Sequence, residues 1–261
     1  MSDILKDICA STLARVEAEE RSVPLAEVKK QALSSKGGTY AFASALKGGS
    51  LAVIAEVKKA SPSKGMIDDK FDYLSIARDY EQGGASAISC LTEPHYFLGS
   101  DDVFCNIRNQ IKLPMLRKDF ILTPYQVYTS ALIGADCILL IMSALGRDRA
   151  EELFSLAQML GMDALFECRN GEQTEAAQRM GGRIIGVNHR NLSDFSVVCN
   201  RAARYRSLAD KSNIFVSESG IMSAADAAAQ RRAGADAVLV GEYFMKSADR
   251  VAAVRELRCV R

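Results

Sequence analysis

Helix-like stretches, small-residue breaks and short apolar runs follow one another along most of the chain. A glycine just past a periodic segment is a helix stop. An apolar run of four to eight residues after such a stop is typical of a strand buried on both faces. The clearest examples span residues 81–92, 131–142, 179–188 and 232–241, with breaks near Gly84, Gly134, Gly182 and Gly234. The breaks lie about 50 residues apart, which is the length of two strand–helix units.

Four further apolar runs lie between these examples, at 52–57, 114–119, 163–168 and 213–219. The sequence therefore predicts eight strands, each followed by a helical pattern, such as the apolar stripe of Leu153, Leu156, Ala157 and Leu160. Strands that alternate with helices form a parallel sheet. Eight units favour an α/β fold of the (β/α)8 TIM-barrel type, and an open doubly wound sheet is the alternative.

Residues 1–48 precede the first predicted strand and are expected to form an N-terminal helical extension. Ile4, Ile8 and Leu13 are predicted to form the apolar face by which a helix packs on the barrel or covers one of its ends. No stretch rich in proline, glycine and serine interrupts the chain. We therefore predict that residues 1–261 form one barrel domain.

Composition and charge exclude several classes of protein. With 48% hydrophobic residues, 25% charged residues and a net charge of +1, the chain does not fit a disordered protein, a nucleic-acid binder or a binder of anionic membranes. The most apolar run, 138–142, is far shorter than the roughly 18 residues that suggest a membrane span. The first residues alternate charged and apolar positions and do not resemble a signal peptide.

The cysteines and histidines do not form a recognisable framework. Seven cysteines are scattered along the chain without a CxxC pair, and only two histidines are present, His95 and His189. This usage predicts neither paired disulfides nor a zinc site. We expect a reduced cytoplasmic protein with buried thiols and no metal centre.

Charged or amide side chains end five of the predicted strands. They are Glu56 and Lys58, Lys118, Glu167, Asn188 and Glu218. Residues two apart in a strand share a face, so in each strand the first of these residues follows an apolar or glycine position on the same face. If those faces point inward, the side chains meet at the carboxyl end of the barrel, where this fold builds active sites. The alternative is that each charge lies in a loop or in an isolated ion pair.

Two glycine-containing pairs after strands predict a phosphate site. Ser219 and Gly220 follow the seventh predicted strand, and Gly241 and Glu242 follow the eighth. Glycine permits close backbone approach to a ligand, and the loops after these two strands often bind phosphate in this barrel. Ser61 and Lys59, after the first strand, either support the same pocket or are simply solvated.

Residues 55–65, with the sequence AEVKKASPSKG, closely resemble the signature of indole-3-glycerol-phosphate synthase. The segments 89–100, 116–120, 135–141, 165–168, 186–192, 217–221 and 240–245 resemble the successive strand ends of that family in the same order. The resemblance extends over essentially the whole chain. The residues given span one barrel, so we expect the monofunctional form and not the fusion with phosphoribosylanthranilate isomerase.

The resemblance implies a reaction of tryptophan biosynthesis. In it, 1-(2-carboxyphenylamino)-1-deoxyribulose 5-phosphate yields indole-3-glycerol phosphate, CO2 and water. By similarity, Lys118 is the general acid that protonates the substrate ketone during ring closure. The later dehydration needs a second acid and a base, for which Lys58, Glu56 and Glu167 are the candidates. The family implies no cofactor, no metal, a phosphorylated small-molecule substrate and a monomer.

The resemblance also implies how the substrate is bound. Arg190 corresponds to the residue near the anthranilate carboxylate, which a planar guanidinium suits. Asn188 and Glu218 resemble the groups that hold sugar hydroxyls and catalytic side chains. The implied apolar cradle of the aromatic ring consists of Phe97, Phe120, Leu139 and Leu192. The implied phosphate site consists of Ser219, Gly220, Gly241 and Glu242, and Ser61 is a further substrate-binding candidate.

A few residues depart from the family pattern or carry another interpretation. His189 stands where many relatives have asparagine and is predicted to point away from Asn188. Tyr243 replaces a common serine beside the phosphate loop, and Asp194 replaces a common threonine. Cys168 is predicted to be a core residue and not a nucleophile.

Two other functions fit the same barrel. One is a different phosphate-binding enzyme, such as an isomerase or an aldolase that forms an imine with Lys118. The other is a barrel that binds phosphorylated ligands and has lost catalysis. The second alternative predicts substitutions at Lys118, Glu56 or Glu167, and all three positions keep the family residue.

Overall fold

Eight parallel strands close into a barrel in the computed structural model, which describes residues 3–35, 37–190, 196 and 201–260. The barrel strands are β1 (Ala52–Val57), β4 (Ala87–Leu91), β5 (Met115–Lys118), β6 (Cys137–Ile141), β7 (Asp163–Cys168), β8 (Ile184–Asn188), β9 (Ile214–Glu218) and β10 (Ala237–Val240). They pair in chain order, and β10 returns to pair with β1. The predicted TIM barrel is therefore confirmed, and the open sheet is excluded.

Helices follow the barrel strands along the chain. They are α4 (Tyr73–Gly83), α5 (Asp101–Arg108), α6 (Pro124–Leu132), α7 (Met142–Met159), α8 (Gly171–Arg179), α9 (Arg201–Arg206), α10 (Ala224–Arg232), α11 (Glu242–Lys246) and α12 (Arg250–Arg258). Several begin at a polar N-cap; Thr123 and Gln126, for example, form a capping box at the start of α6. A short antiparallel pair in the loop after β1, β2 (Ala60–Ser61) and β3 (Gly65–Met66), was not predicted.

The glycine breaks behave as helix stops at three of the four predicted positions. Gly84, Gly134 and Gly234 have positive φ values of 86°, 81° and 94°, a conformation that glycine adopts at little cost. The third break is one residue earlier than predicted, because Gly181 has the positive φ. Gly182 serves packing instead, since a Cβ there would lie 2.7 Å from the Phe166 ring.

Alternating residues of the strands build two apolar layers. Ile54, Leu116, Leu139, Leu165 and Val216 face the barrel interior and pack together. Their neighbours along the strands pack against the surrounding helices. These are the residues that the sequence predicted to face the interior. The polar and charged residues two positions further along therefore also face inward, at the carboxyl end of the barrel.

Three helices precede the barrel, α1 (Asp3–Ser22), α2 (Leu25–Ser34) and α3 (Ala41–Ala45). Phe42 and Ala43 of α3 join the interior apolar layer, and the Ala43 N–H donates to Asp163 at the start of β7 over 2.8 Å. This helix therefore closes the amino end of the barrel.

The apolar face of α1 differs from the predicted one. Leu5, Ile8, Thr12 and Val16 are buried at helical spacing, whereas Leu13 is 48% exposed. Leu13 lies on a different side of the helix from Leu5 and Ile8, so its assignment to the packing face was wrong. Within the described part of the chain, no helix combines the length and the apolar character needed to span a bilayer.

Candidate active site

The side chains that end the barrel strands surround a single cavity of about 580 Å³ at the carboxyl end. Every described residue of the predicted site lines it: Glu56, Lys58, Ser61, Phe97, Lys118, Phe120, Leu139, Glu167, Asn188, Arg190, Glu218, Ser219, Gly220, Gly241 and Glu242. Leu192 lies outside the described residues. Strands from all sides of the barrel contribute to this lining. Their side chains meet in one cavity because the last residues of these strands face inward.

Lys118 lies between two carboxylates at the base of this cavity. Its Nζ is 3.7 Å from Oε2 of Glu218 and 3.9 Å from Oε1 of Glu56. Burial alone would lower the pKa of Lys118, but the charges of Glu218, Glu56 and Glu167 outweigh burial and raise it. Lys118 is therefore held as an ammonium ion that has a proton to donate.

Glu56 connects the two lysines of the site. Its Oε2 accepts a hydrogen bond from Lys58 Nζ, while its Oε1 faces Lys118. Burial would raise the pKa of Glu56, but the positive charges of Lys58 and Lys118 outweigh it and lower the pKa. Glu56 is thus a fixed negative charge that keeps both ammonium groups on the same side of the cavity. A Cβ at Gly241 would lie 2.4 Å from Glu56 Oε2, so only glycine leaves room for this carboxylate.

The pKa of Glu218 is shifted in the opposite direction to that of Glu56. Burial raises its pKa to about 8, helped by Glu167 and Glu56 and opposed by Lys118. Neither carboxylate oxygen has a hydrogen-bond partner among the described residues. Below pH 8 this carboxyl group therefore holds a proton inside the cavity.

The raised pKa of Glu218 predicts a pH-dependent contribution to stability. Between its ordinary pKa of 4.5 and about 8, the unfolded chain loses this proton while the folded chain keeps it. Rising pH in that range therefore lowers the free energy of unfolding, by at most about 1.4 kcal/mol per pH unit. Glu218→Gln removes this dependence, so urea unfolding should show the variant gaining stability relative to the parent between pH 5 and pH 8. Parallel pH profiles of the two proteins would contradict the assignment.

Gly186 makes the position of Glu218 possible. A Cβ at residue 186 would lie 2.3 Å from Glu218 Oε1 and 3.0 Å from Leu165 Cδ1. Gly186→Ala is expected to lower the free energy of unfolding by about 1–3 kcal/mol, because a crowded core must shift to admit the methyl group. Urea unfolding measures this change. Gly48→Ala is the matched control, since a Cβ there meets nothing within 4 Å; equal effects of the two substitutions would refute the crowding argument.

Glu167 and Asn188 form a second polar group in the cavity. The Asn188 amide donates to Glu167 Oε2 over 3.1 Å, and Asn188 Oδ1 accepts from the backbone N–H of Arg190 over 2.9 Å. Glu167 Oε1 is buried and has no hydrogen-bond partner among the described residues. One oxygen of this carboxylate is therefore fixed, and the other is available to a bound molecule.

Aromatic side chains form one wall of the cavity. The rings of Phe97 and Phe120 lie 6.2 Å apart between centroids, with Leu139 also in the lining. The turn that carries Phe97 is built on Glu93, whose carboxylate accepts from the backbone N–H groups of residues 95, 96 and 97. The wall offers an apolar surface beside the charged groups, which suits an aromatic ring.

Backbone geometry at the ends of β9 and β10 suits an anion. Ser219 and Gly220 both have positive φ, 66° and 77°, and both line the cavity. Gly241 and Glu242 follow the neighbouring strand β10 and also line the cavity. Consecutive turns of this kind direct backbone N–H groups into a concave space.

The Glu242 carboxylate is surrounded by basic side chains. Its Oε1 lies 2.8 Å from Lys246 and 3.4 Å from Lys64, and its Oε2 lies 3.8 Å from Arg190. Two of these cations, Lys64 and Arg190, line the cavity beside the predicted phosphate loops. Lys64, which was not predicted as a site residue, belongs to the matched segment 55–65 and could have been found there.

Several residues considered from the sequence lie away from the cavity. Lys59 is placed over the ring of Phe71. The Tyr243 hydroxyl donates to Glu256 over 2.9 Å, on the outer side of α11. His189 is fully buried behind the cavity, where its Nε2 lies 2.9 Å from Ser217 Oγ. Cys168 is also buried, and burial raises the pKa of its thiol, as expected of a core residue. Asp194 lies outside the described residues.

Sequence reasoning missed the polar side chains that support Lys118 from behind. Arg117, Asp119 and Thr92 are buried and bonded to one another, with Thr92 Oγ1 at the centre. The signal was present in the run of three charges at 117–119, of which only the middle one was assigned. Among the described residues, no group of three or more histidine, cysteine, aspartate or glutamate side chains is arranged to hold a metal ion.

Known proteins match this chain over nearly its full length. A family model described as indole-3-glycerol phosphate synthase matches residues 5–257. The chain is 47% identical over 257 residues to the indole-3-glycerol phosphate synthase of Ruminiclostridium cellulolyticum, covering 98% of each chain. It is 44% identical over 256 residues to that of Endomicrobium trichonymphae, covering 98% of this chain and 99% of the relative.

Solved structures show the same barrel at low identity. A 3-hexulose-6-phosphate synthase superposes with a TM-score of 0.64 at 14% identity, covering 80% of this chain and 99% of its own. A thiamine phosphate pyrophosphorylase from Pyrococcus furiosus superposes with a TM-score of 0.60 at 16% identity, covering 80% and 95%. At such identities the likeness concerns the fold alone.

Proposed function

The chain belongs to the indole-3-glycerol phosphate synthase family, and from this we propose how its cavity carries out the family's reaction. The enzyme converts 1-(2-carboxyphenylamino)-1-deoxyribulose 5-phosphate to indole-3-glycerol phosphate, CO2 and water. The observation that carries the proposal is the buried Lys118 ammonium, held 3.7 and 3.9 Å from two carboxylates at the base of a cavity that every described predicted site residue lines.

Ring closure is assigned to Lys118. The aromatic carbon that bears the carboxylate attacks the substrate ketone, and the ketone oxygen takes a proton from the Lys118 ammonium as the carbon–carbon bond forms. Loss of CO2 then returns the electron pair to the ring. Glu56, whose own pKa is lowered, keeps the lysine charged before the step, and Arg190 is proposed to hold the carboxylate as a planar guanidinium can.

Dehydration completes the indole, and it needs an acid at the hydroxyl group and a base at the carbon-bound proton. We assign the acid to Lys58, which Glu56 holds at the cavity wall. Glu56 already pairs with both lysines, whereas Glu167 Oε1 has no hydrogen-bond partner among the described residues. The contacts therefore favour Glu167 as the base. The hydroxyl leaves as water, and the proton passes to the carboxylate.

We assign substrate binding to the other residues that line the cavity. Phe97, Phe120 and Leu139 are proposed to contact the aromatic ring, and Leu192 to join them as the family resemblance implies. Asn188 and Ser61 supply polar contacts to the sugar chain. The phosphate is assigned to the backbone N–H groups at Ser219, Gly220, Gly241 and Glu242, with the cations around Glu242 nearby.

A fluorescence assay for indoleglycerol phosphate formation tests the proposal directly. The purified protein, with EDTA present and no metal added, is expected to turn over the carboxyphenylamino substrate. Absence of product under conditions where the protein is folded would refute it. We further propose that the enzyme is a cytoplasmic monomer, and sedimentation-velocity ultracentrifugation tests the monomer.

A further inference from the structure

Asp119, the residue after Lys118, bonds to the backbone that follows this lysine and to a residue after the neighbouring strand β4. Its carboxylate is fully buried; Oδ1 accepts from the Phe120 N–H over 2.8 Å, and Oδ2 accepts from the Thr92 hydroxyl over 3.0 Å. The Thr92 N–H in turn donates to the Lys118 carbonyl oxygen over 3.1 Å. The end of β5 is thus anchored to the neighbouring strand through one carboxylate.

The charge of that carboxylate is balanced from outside the barrel. Arg15 of α1 reaches Asp119 with Nη2, which lies 3.1 Å from Oδ1 and 3.0 Å from Oδ2. The other cation in reach, Arg117, is 3.5 Å from Oδ2 and pairs more closely with Asp101, at 2.8 Å. Arg15 is therefore the principal counter-charge of Asp119, although it lies 104 positions away in the sequence.

A buried carboxylate that loses its counter-charge either takes a proton or moves toward water, and both responses are costly. Either one weakens the bonds from Asp119 to Phe120 and Thr92, which hold the backbone at Lys118. A misplacement of about 1 Å in a catalytic group can cost on the order of 10²-fold in rate. The pair between Arg15 of α1 and Asp119, just after β5, therefore bears on the position of Lys118 in the cavity.

We propose that Arg15 is a positioning residue for Lys118, acting through Asp119, so that the N-terminal helix takes part in setting the geometry of the acid. The proposal rests on the role given to Lys118 above. It distinguishes Arg15 from the other arginine of this helix, Arg21, whose ion pair with Glu17 at 2.9 Å is exposed.

Steady-state kinetics of Arg15→Ala, Arg15→Lys and Arg21→Ala test the proposal. We expect Arg15→Ala to lower kcat by about 10-fold or more with a smaller rise in KM, because Phe120 is the one described ring contact that Asp119 holds directly. Arg15→Lys keeps the charge and should recover part of kcat. Arg21→Ala should behave as the parent enzyme. A parental kcat in folded Arg15→Ala, with only a lower melting temperature, would show that the pair is merely structural.

The double variant Arg15→Ala/Asp119→Asn covers the case in which the single variant does not fold. It removes both charges, so no unpaired buried charge remains, but it also removes the anchor at Lys118. A low kcat close to that of Asp119→Asn alone supports the proposal, and a parental kcat in the folded double variant overturns it. Failure of the proposed function is recognised separately, by an inactive parent enzyme or an active Lys118→Ala variant.

Discussion

Lys118→Ala is expected to lower kcat by about 10² or more while the barrel stays folded, because removal of a positioned general acid typically has an effect of this size. The Lys118 ammonium lies 3.9 Å from Glu56 and 3.7 Å from Glu218. Its loss leaves Glu56 paired with Lys58, and Glu218, with its pKa already raised, can remain protonated. The site therefore tolerates the deletion, and the loss falls on chemistry.

Lys118→Arg separates charge from proton transfer. Arginine retains a positive charge between the same carboxylates but does not release a proton in proteins. If Lys118 acts as an acid, kcat of the arginine variant should be reduced together with that of the alanine variant, with far-UV circular dichroism of both unchanged. Near-normal turnover of Lys118→Ala would remove this residue from its role, and recovery by arginine would reduce that role to electrostatic stabilisation.

The architecture and the catalytic face could be predicted because strand geometry leaves little choice. Once Ile54 and Leu116 are assigned to the barrel interior, alternation places Glu56 and Lys118 on the same side. Parallel strands in a closed barrel then direct all such residues to one end. The same argument predicted that His189 points away from the cavity, and in the structure it does, with Nε2 beside Ser217.

Contacts between distant parts of the chain could not be predicted in this way. The bond between Arg15 and Asp119 depends on how α1 is oriented on the barrel. No local sequence pattern determines that orientation. The face of α1 shows the same limit: both Leu13 and Leu5 are apolar, and only the packed barrel decides which one is buried. Nor does the pattern around Gly186 reveal that a carboxylate from the next strand fills the space beside it.

Electrostatic differences within the cavity were equally beyond the sequence. Glu56 and Glu218 are both buried carboxylates near Lys118, yet the pKa of Glu56 is lowered and that of Glu218 is raised. Lys58 is bonded to Glu56 and not to Glu218, and the pKa of Glu218 is raised further by the charges of Glu167 and Glu56. Position in space, and not residue type, divides these carboxylates into a fixed charge and a protonated group.

Glu167→Gln is expected to reduce kcat by about 10² or more, as loss of a general base does, without weakening phosphate binding. Glutamine has nearly the same shape, and its amide oxygen can still accept the hydrogen bond from Asn188 that Glu167 Oε2 accepts over 3.1 Å. What disappears is the proton affinity of Oε1, the oxygen without a partner among the described residues. The substitution therefore removes basicity with little change in structure.

Inhibition by inorganic phosphate supplies the second measurement for Glu167→Gln. The proposed phosphate loops at Ser219 and Gly241 end other strands than the one that carries Glu167, so the inhibition constant should match that of the parent enzyme. Glu172→Gln, on the surface helix α8, is the matched control and should leave both quantities unchanged. A proportionate loss of kcat and phosphate affinity would mean that Glu167 maintains the shape of the cavity. An unchanged kcat would assign the base to Glu56, the other carboxylate that faces Lys58.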